Sequence, residues 1–436
     1  MRRLARISSI RYAAGCAAVV AAISSTGALA GGFGVEQSAF YQGLSFAGAA
    51  AGGAGSLASI SWNPATATFA GSGWQAEASA SYLIVSADVT VSNPGAQIPP
   101  VGTAQTDIGR NAVIGASYYT YRLNEKTVFG LSLTSPFGLG TKPNDTNWAG
   151  QYQGITTYVF NVNATPMVSY EVTPGFSIGA GLQVDYFGLK RQTAQTPLGL
   201  ANFKADDIGF GFVAGITLAP SAGTSIGLGY RSTIEHEAEG HTELGTIAKT
   251  PAQANLMLPD MVSLGVRHAV SPSVRLMGEV EWVNWSRLGV IPIVIQQPIA
   301  PLAIPAGTTV ATLDFKWRDG WLFSLGGEYD WSPDLTLRGG VAYEISPVDG
   351  PTTRLVQDPD SNRVWLSLGG SYDWDESTRF DFSYSHVFFE NDAPFSRTAA
   401  STLYTSPTLN GTADLAMDLF SIGVKMDLSS VHPMFQ

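Results

Sequence analysis

From residue 73 to residue 428 the chain alternates apolar and polar positions with period two, in one long stretch after another. Between 176 and 186, Phe176, Ile178, Ala180, Leu182, Val184 and Tyr186 fall on one side, and Ser177, Gly179, Gly181, Gln183 and Asp185 on the other. Between 335 and 345, Leu335, Leu337, Gly339, Val341, Tyr343 and Ile345 oppose Thr336, Arg338, Gly340, Ala342 and Glu344. Successive side chains of a strand point to opposite faces, so this period marks strands whose two faces meet different surroundings. Fourteen such strands are predicted, near 73–86, 107–122, 126–136, 154–172, 175–190, 203–219, 223–237, 255–271, 273–287, 311–331, 333–346, 361–374, 376–390 and 410–428.

The connections alternate too. Tight turns rich in Pro, Gly, Asn, Asp or Ser, at 123–125, 173–174, 220–222, 271–272, 332 and 375, separate long loops at 87–106, 137–153, 191–202, 238–254, 288–310, 347–360 and 391–409. A secreted sandwich or propeller has no reason to segregate short from long connections, whereas an outer-membrane barrel has short periplasmic turns and long extracellular loops. Most of the stretches exceed the ~9 to 11 residues needed to cross the apolar layer. The prediction is an all-β fold, a 14-stranded antiparallel transmembrane β-barrel over 73–428 with a periplasmic tail at 429–436. Its apolar face then meets lipid, while Arg275, Glu279, Glu281, Arg338, Glu344, Arg363, Arg379 and Asp381 point inward. Trp282, Tyr329, Trp331, Tyr343, Tyr372 and Trp374 fall near strand ends on the apolar face, where interfacial aromatic girdles form.

Composition sharpens this picture. Glycine supplies 48 of 436 residues and charged residues only 14 %, and after residue 30 no apolar run is long enough for a spanning helix. The formal charge of −11 disfavours nucleic acid, whose phosphates need a basic surface. Arg2, Arg3, Arg6 and Arg11, an apolar run over 13–23 and Ala28-Leu29-Ala30 predict a secretory signal peptide over 1–30. Its removal takes away four arginines and the single cysteine, Cys16, so the mature chain carries −15 and has no disulfide or thiolate chemistry.

Residues 31–72 are too long for a linker and too short for a separate domain. They are rich in Gly and Ala over 43–55 and continue through Ser61-Trp62-Asn63-Pro64-Ala65, which suits an N-terminal hatch packed inside the barrel. Asn63 can hydrogen-bond the wall while Pro64 fixes the local turn, making Asn63, Pro64 and Ala65 a hatch element. Pro136 lacks a ladder donor and Gly138 adds backbone freedom, so pairing is expected to break over Ser135, Pro136, Phe137 and Gly138. Two outer loops are apolar enough to capture a hydrophobic molecule, one through Trp148 and Tyr152 and the other through Ile291, Ile293, Ile295, Ile299 and Leu302. No enzyme is expected. The glycines at 52–55 lack the Gly-Lys-Ser/Thr of a phosphate loop, His236 and His241 have the wrong spacing for a zinc helix, and no Gly-x-Ser-x-Gly elbow occurs, so no cofactor or metal is expected either.

Along nearly the whole mature chain the sequence resembles the FadL/TodX-type transporters of Gram-negative outer membranes. The resemblance rests on Gly32-Phe33 with Glu36-Gln37-Ser38, Asn63-Pro64-Ala65, Ser135-Pro136-Phe137-Gly138, Tyr230-Arg231-Ser232, Leu258-Pro259-Asp260-Met261, Trp282 to Trp285, Leu337-Arg338-Gly339-Gly340 and Arg363-Val364-Trp365-Leu366-Ser367. It implies a fourteen-stranded barrel with a hatch, surrounded by outer-membrane lipid and lipopolysaccharide and acting as a monomer. The implied activity is passive uptake of hydrophobic molecules, foremost long-chain fatty acids, with aromatic hydrocarbons as the family's other cargo. Capture on outer loops, transfer to an inner pocket, hatch movement and lateral exit at a kinked third strand are the implied stages. Alignment with the family places Lys190 or Arg191, and Arg318, near the head-group cations, and Phe33 where the hatch reaches the pocket. A hydrophilic porin or adhesin on the same barrel is the competing reading, against which the hatch and apolar loops count.

Overall fold

The computed structural model describes residues 38–94, 97, 101–399, 401, 403–404 and 406–429. The predicted signal peptide, Phe33 and residues 430–436 of the tail lie outside the described residues. Fourteen strands form the wall: β1 (Gly73–Val91), β2 (Ala112–Arg122), β3 (Thr127–Thr134), β4 (Thr156–Thr173), β5 (Phe176–Thr196), β6 (Gly199–Ser221), β7 (Thr224–Arg231), β8 (Met261–Ser271), β9 (Val274–Val283), β10 (Gly320–Ser332), β11 (Leu335–Ile345), β12 (Arg363–Asp375), β13 (Thr378–Phe389) and β14 (Thr408–Asp427). Each pairs antiparallel with the next, and β14 closes on β1 from Gln75↔Asp427 to Val91↔Gly411. Closure leaves no exposed edge, the condition for strands to cross a bilayer.

The period-two reading holds residue by residue. Leu182, Phe210, Leu325 and Ile422 are 60–71 % exposed on the lipid face, while Gln183, Asp185 and Ser421 on the opposite face are buried. Trp331 and Trp374, 67 % and 68 % exposed, stand at the ends of β10 and β12 beside the tight turns.

Two of the predicted long loops are instead strand. β5 runs to Thr196 and β6 starts at Gly199, so 191–202 is a tight hairpin. Likewise 238–254 lies in a hairpin of Ile234–Leu244 with Ala248–Leu258, which extends β7 and β8 outward. Beyond the membrane the outward face of the strand meets water instead of lipid, so Glu235, Glu237 and Glu239 stand where alternation needs apolar residues, while Ile234, His236 and Ala238 on the inward face stay buried. The predicted stretch 311–331 divides into an outer strand, Thr309–Asp314, and β10.

Residues 38–72 fill the barrel. A short helix α1 (Ala39–Gln42), N-capped by Ser38, is followed by 3-10 turns at Ala58–Ser61 and Pro64–Phe69. Hydrogen bonds reach walls all around: Ala39 N–H donates to Ser79 Oγ of β1 (3.3 Å), Ser169 Oγ of β4 to Pro64 O (2.6 Å), and Ser324 Oγ of β10 to Ser45 O (2.6 Å). Glycine makes this approach possible, because a Cβ on Gly227, Gly229 or Gly340 would land on the backbone of Ala50, Trp62 or Leu44. On the side of the tight turns, Phe40 lies between the guanidinium groups of Arg338 (3.8 Å to the ring centroid) and Arg379 (5.3 Å). Arg338 is paired with Glu328 at 2.8 Å, and Glu328 also pairs with Arg275 at 2.8 Å. These buried charges are therefore compensated, as burial requires.

Candidate functional site

Pairing in the wall is interrupted at the third strand. β3 pairs with β4 up to Thr134↔Asn163, and pairing resumes at Gly138↔Phe160 along a short strand, Gly138–Thr141. Three residues, Ser135, Pro136 and Phe137, thus oppose two, which is a bulge. Pro136 has no N–H to give the ladder there. On the other edge, β2 pairs with β3 only from Ser117↔Leu133 to Arg122↔Val128, so residues 112–116 have no registered partner in β3. Ser135, Pro136, Phe137 and Gly138 are all buried at this break.

Three spaces lie in series along the interior. The outermost is a vestibule among the outer loops, lined by Tyr152, Phe203, Ile293, Ile299 and Tyr404, with Arg397 beside the carboxylates of Glu243 and Asp314. Arg397 Nη2 donates to Asp314 O at 2.7 Å. Tyr152 and Tyr404 meet edge to face, 5.5 Å between centroids, and burial pushes the Tyr404 hydroxyl up to about 12, so it stays neutral. Below lies a small space whose lining is apolar throughout, including Val159, Phe187, Leu189, Ile291 and Phe315. Phe203 and Leu313 border both spaces. Phe137, from the strand break, borders this apolar space and the third, a lumen pocket resting on Phe46 and Trp62 of the hatch.

Polar struts hold these walls. His236, wholly buried, sits between Asp185 (Nε2 to Oδ1, 3.1 Å) and Asp207 (Nδ1 to Oδ2, 3.1 Å), and its ring packs 5.4 Å from that of Phe187. Asn63 Nδ2 donates to Ala50 O in the hatch (2.8 Å) and to Ile216 O in β6 (2.9 Å), while its Oδ1 accepts from Ala65 N–H (3.0 Å). Pro64 occupies the first position of the 3-10 turn that Asn63 caps.

The residues singled out in the sequence fall in several places. Tyr152, Ile293 and Ile299 line the vestibule and Ile291 the apolar space. Ile295 is fully buried in a hairpin of Val290–Ile295 with Thr309–Asp314, and Leu302 packs half-buried against the core. Trp148 is a loop strut, 1 % exposed, with Nε1 donating to Gly154 O at 3.0 Å. Arg318 corrects an expectation: it is exposed and paired with Asp349 at 2.9 Å, and it lines none of the three spaces. The side chains of Lys190 and Arg191 lie outside the described residues. Two arginines went unassigned in the sequence. Arg231 lines the lumen pocket and was visible only as part of Tyr230-Arg231-Ser232, and Arg397 falls in the predicted loop 391–409, where the structure has a short strand, Ala393–Thr398, paired with β14.

Comparison with known proteins agrees with this architecture. The profile of the outer membrane protein transport protein family (OMPP1/FadL/TodX) matches residues 20–428. A long-chain fatty acid transport protein of Salmonella typhi is 24 % identical over 425 residues, covering 87 % of this chain and 93 % of that one. A putative outer membrane protein of Neisseria meningitidis serogroup B is 26 % identical over 221 residues, and that alignment spans only 47 % of either chain. The crystal structure of a Pseudomonas aeruginosa FadL homologue superposes with a TM-score of 0.80 at 21 % identity, covering 91 % of this chain and 99 % of that one.

Proposed function

The chain belongs to the OMPP1/FadL/TodX family of outer-membrane transport proteins, and from that premise we propose that it is a passive, ligand-triggered channel that takes up hydrophobic molecules, long-chain fatty acids first among them. Members of the family transport hydrophobic compounds across the outer membrane of Gram-negative cells. The observation that carries the reading is the apolar space between the vestibule and the lumen pocket. A hydrophilic solute gains nothing there and loses its hydration, while each buried methylene of an alkyl chain gains about 0.8 kcal/mol. Phe137 then stands at the turning point of the route, bordering the apolar space above, the lumen pocket and the gap in the wall.

In this reading a molecule is captured in the vestibule, where Arg397 is placed to receive a carboxylate, and slides its tail past Phe203 and Leu313. It reaches the lumen pocket, displaces the hatch contacts and leaves sideways between β2 and the bulge at Ser135 to Gly138. The long-chain fatty acid transporters among the relatives support that cargo; an aromatic hydrocarbon would fit the same apolar walls.

Ala254, 4 % exposed, lines the apolar space. Ala254→Phe should fill it, abolishing accumulation of labelled oleate by cells that depend on this protein, while the barrel still shows the heat-modifiable migration of a folded outer-membrane protein. Wild-type rates through the filled space would overturn the route, and brisk swelling of wild-type proteoliposomes in sugars would point to a porin instead.

A further inference from the structure

The lumen pocket is built for the opposite charge from that of a fatty acid. Glu279, Glu281 and Glu344 line it, against a single lining cation among the described residues, Arg231. That cation is engaged already: its guanidinium donates to the Gln183 side chain and to Ser61 O (3.2 Å). Glu344 is paired with Arg363 at 2.9 Å and accepts from Trp365 Nε1 at 3.0 Å. Glu279 accepts from the Ala50 N–H of the hatch at 3.2 Å. Glu281 accepts from Ser263 Oγ at 3.0 Å and from the Trp62 side chain and is in the field of Arg231, but no cation closes to ion-pair distance among the described residues.

Around these carboxylates stand aromatic rings from separate parts of the chain. Phe46 of the hatch meets Trp365 of β12 edge to face, 5.7 Å between centroids, and lies 6.2 Å from Trp62. On the side of the strand break, Phe137 meets Trp285 edge to face at 5.8 Å. Aromatic faces carry negative quadrupole potential and attract ammonium groups, the more so where water is excluded. A carboxylate brought here meets like charge and electron-rich rings, whereas an ammonium finds a carboxylate with no cation at ion-pair distance among the described residues, and an aromatic box.

We infer that the lumen pocket binds hydrophobic amines, long-chain alkylammonium ions in particular, with the ammonium at Glu281 between the Phe46–Trp62–Trp365 and Phe137–Trp285 walls. The inference rests on the proposed route and adds a cargo class to it. The tail lies toward the apolar space that Phe137 borders, and the positive head stays in the pocket.

The test uses the full mature protein in nanodiscs of zwitterionic lipid, with empty nanodiscs as the partition control. Equilibrium dialysis at pH 7.5 compares decylammonium with decanol, two ligands of equal chain length. Decylammonium should bind at least tenfold more tightly than decanol, and this ratio requires no variant to fold. Glu281→Gln, which keeps the acceptor for Ser263, should cut decylammonium affinity about tenfold, leave decanol unchanged and not weaken decanoate. Equal binding of decylammonium and decanol overturns the inference, and so does a folded Glu281→Gln protein with wild-type decylammonium affinity. If neither ligand binds above empty nanodiscs, the proposed route itself fails.

Discussion

Asn63 of the hatch donates through its side-chain amide to the Ile216 carbonyl of the barrel wall at 2.9 Å, and the same nitrogen reaches Ala50 O at 2.8 Å. One amide therefore fastens two segments of the hatch to β6. Asn63→Ala removes both bonds together with the cap on the turn at Pro64–Phe69, each such bond contributing about 0.5–1.5 kcal/mol. The expected result is a folded barrel with a loosened hatch, seen as faster proteoliposome swelling in sugars and faster exchange of the amides of residues 63–69. Swelling at the wild-type rate would mean that Asn63 does not hold the hatch closed.

The break in β3 makes a separate prediction. Gly138 is buried where pairing with β4 resumes, beside the stretch of β2 that has no partner in β3. A tryptophan at this position would occupy the gap without touching the vestibule. Gly138→Trp should leave oleate binding within about twofold of wild type and reduce its uptake by cells at least tenfold, with heat-modifiable migration preserved. Loss of binding and uptake together would place the residue in the binding path rather than the exit.

Lipid explains how much of this was legible in advance. Wherever a strand crosses the bilayer, hydrocarbon on one side and a polar interior on the other impose strict alternation, and all fourteen strands could be read from stretches such as Phe176 to Tyr186. Above the membrane the outward positions meet water and lose their apolar residues. The strand was read as far as residue 237, and its continuation through Glu239 with the return strand Ala248–Leu258 read as loop. Arg318 was misplaced for a related reason: 311–331 looked like one strand, but Lys316, at φ +49°, turns the chain between Asp314 and Gly320 and puts Arg318 on the surface. The linings of the spaces were legible only in part: Tyr152, Ile291, Ile293 and Ile299 stood out as apolar loop residues, but Phe203 and Arg397 lie some 50 to 245 positions from Tyr152 and only closure of the barrel brings them to it.

An outer loop should respond to pH. The Asp358 side chain, between β11 and β12, is fully buried; burial first, and the nearby Asp360 carboxylate second, hold its carboxyl well above the usual range. A folded-state value above the unfolded one means that the native loop binds the proton more tightly. Its contribution is therefore complete below the unfolded value near ~3.9 and is lost as pH rises through the raised folded value. Amide protection factors for residues 355–360 should be higher at pH 5 than at pH 8, and Asp358→Asn should make them independent of pH. Greater protection at pH 8 would reverse the sign and overturn the assignment.

The two arginines make opposite predictions for a carboxylate ligand. Arg318 is half exposed and tied to an exposed Asp349, an arrangement in which an ion pair contributes about 0–1 kcal/mol and lies outside the route. Arg397 lines the vestibule and is held in place by Asp314 O, so its guanidinium is positioned before the ligand arrives. Arg318→Ala should leave oleate affinity within about twofold of wild type. Arg397→Ala should weaken oleate about tenfold, equivalent to about 1.4 kcal/mol, and leave a neutral alcohol of the same length unaffected. Titration of both ligands against both variants separates head-group recognition from tail burial: if oleate and the alcohol weaken equally in Arg397→Ala, the guanidinium shapes the vestibule and does not read the carboxylate.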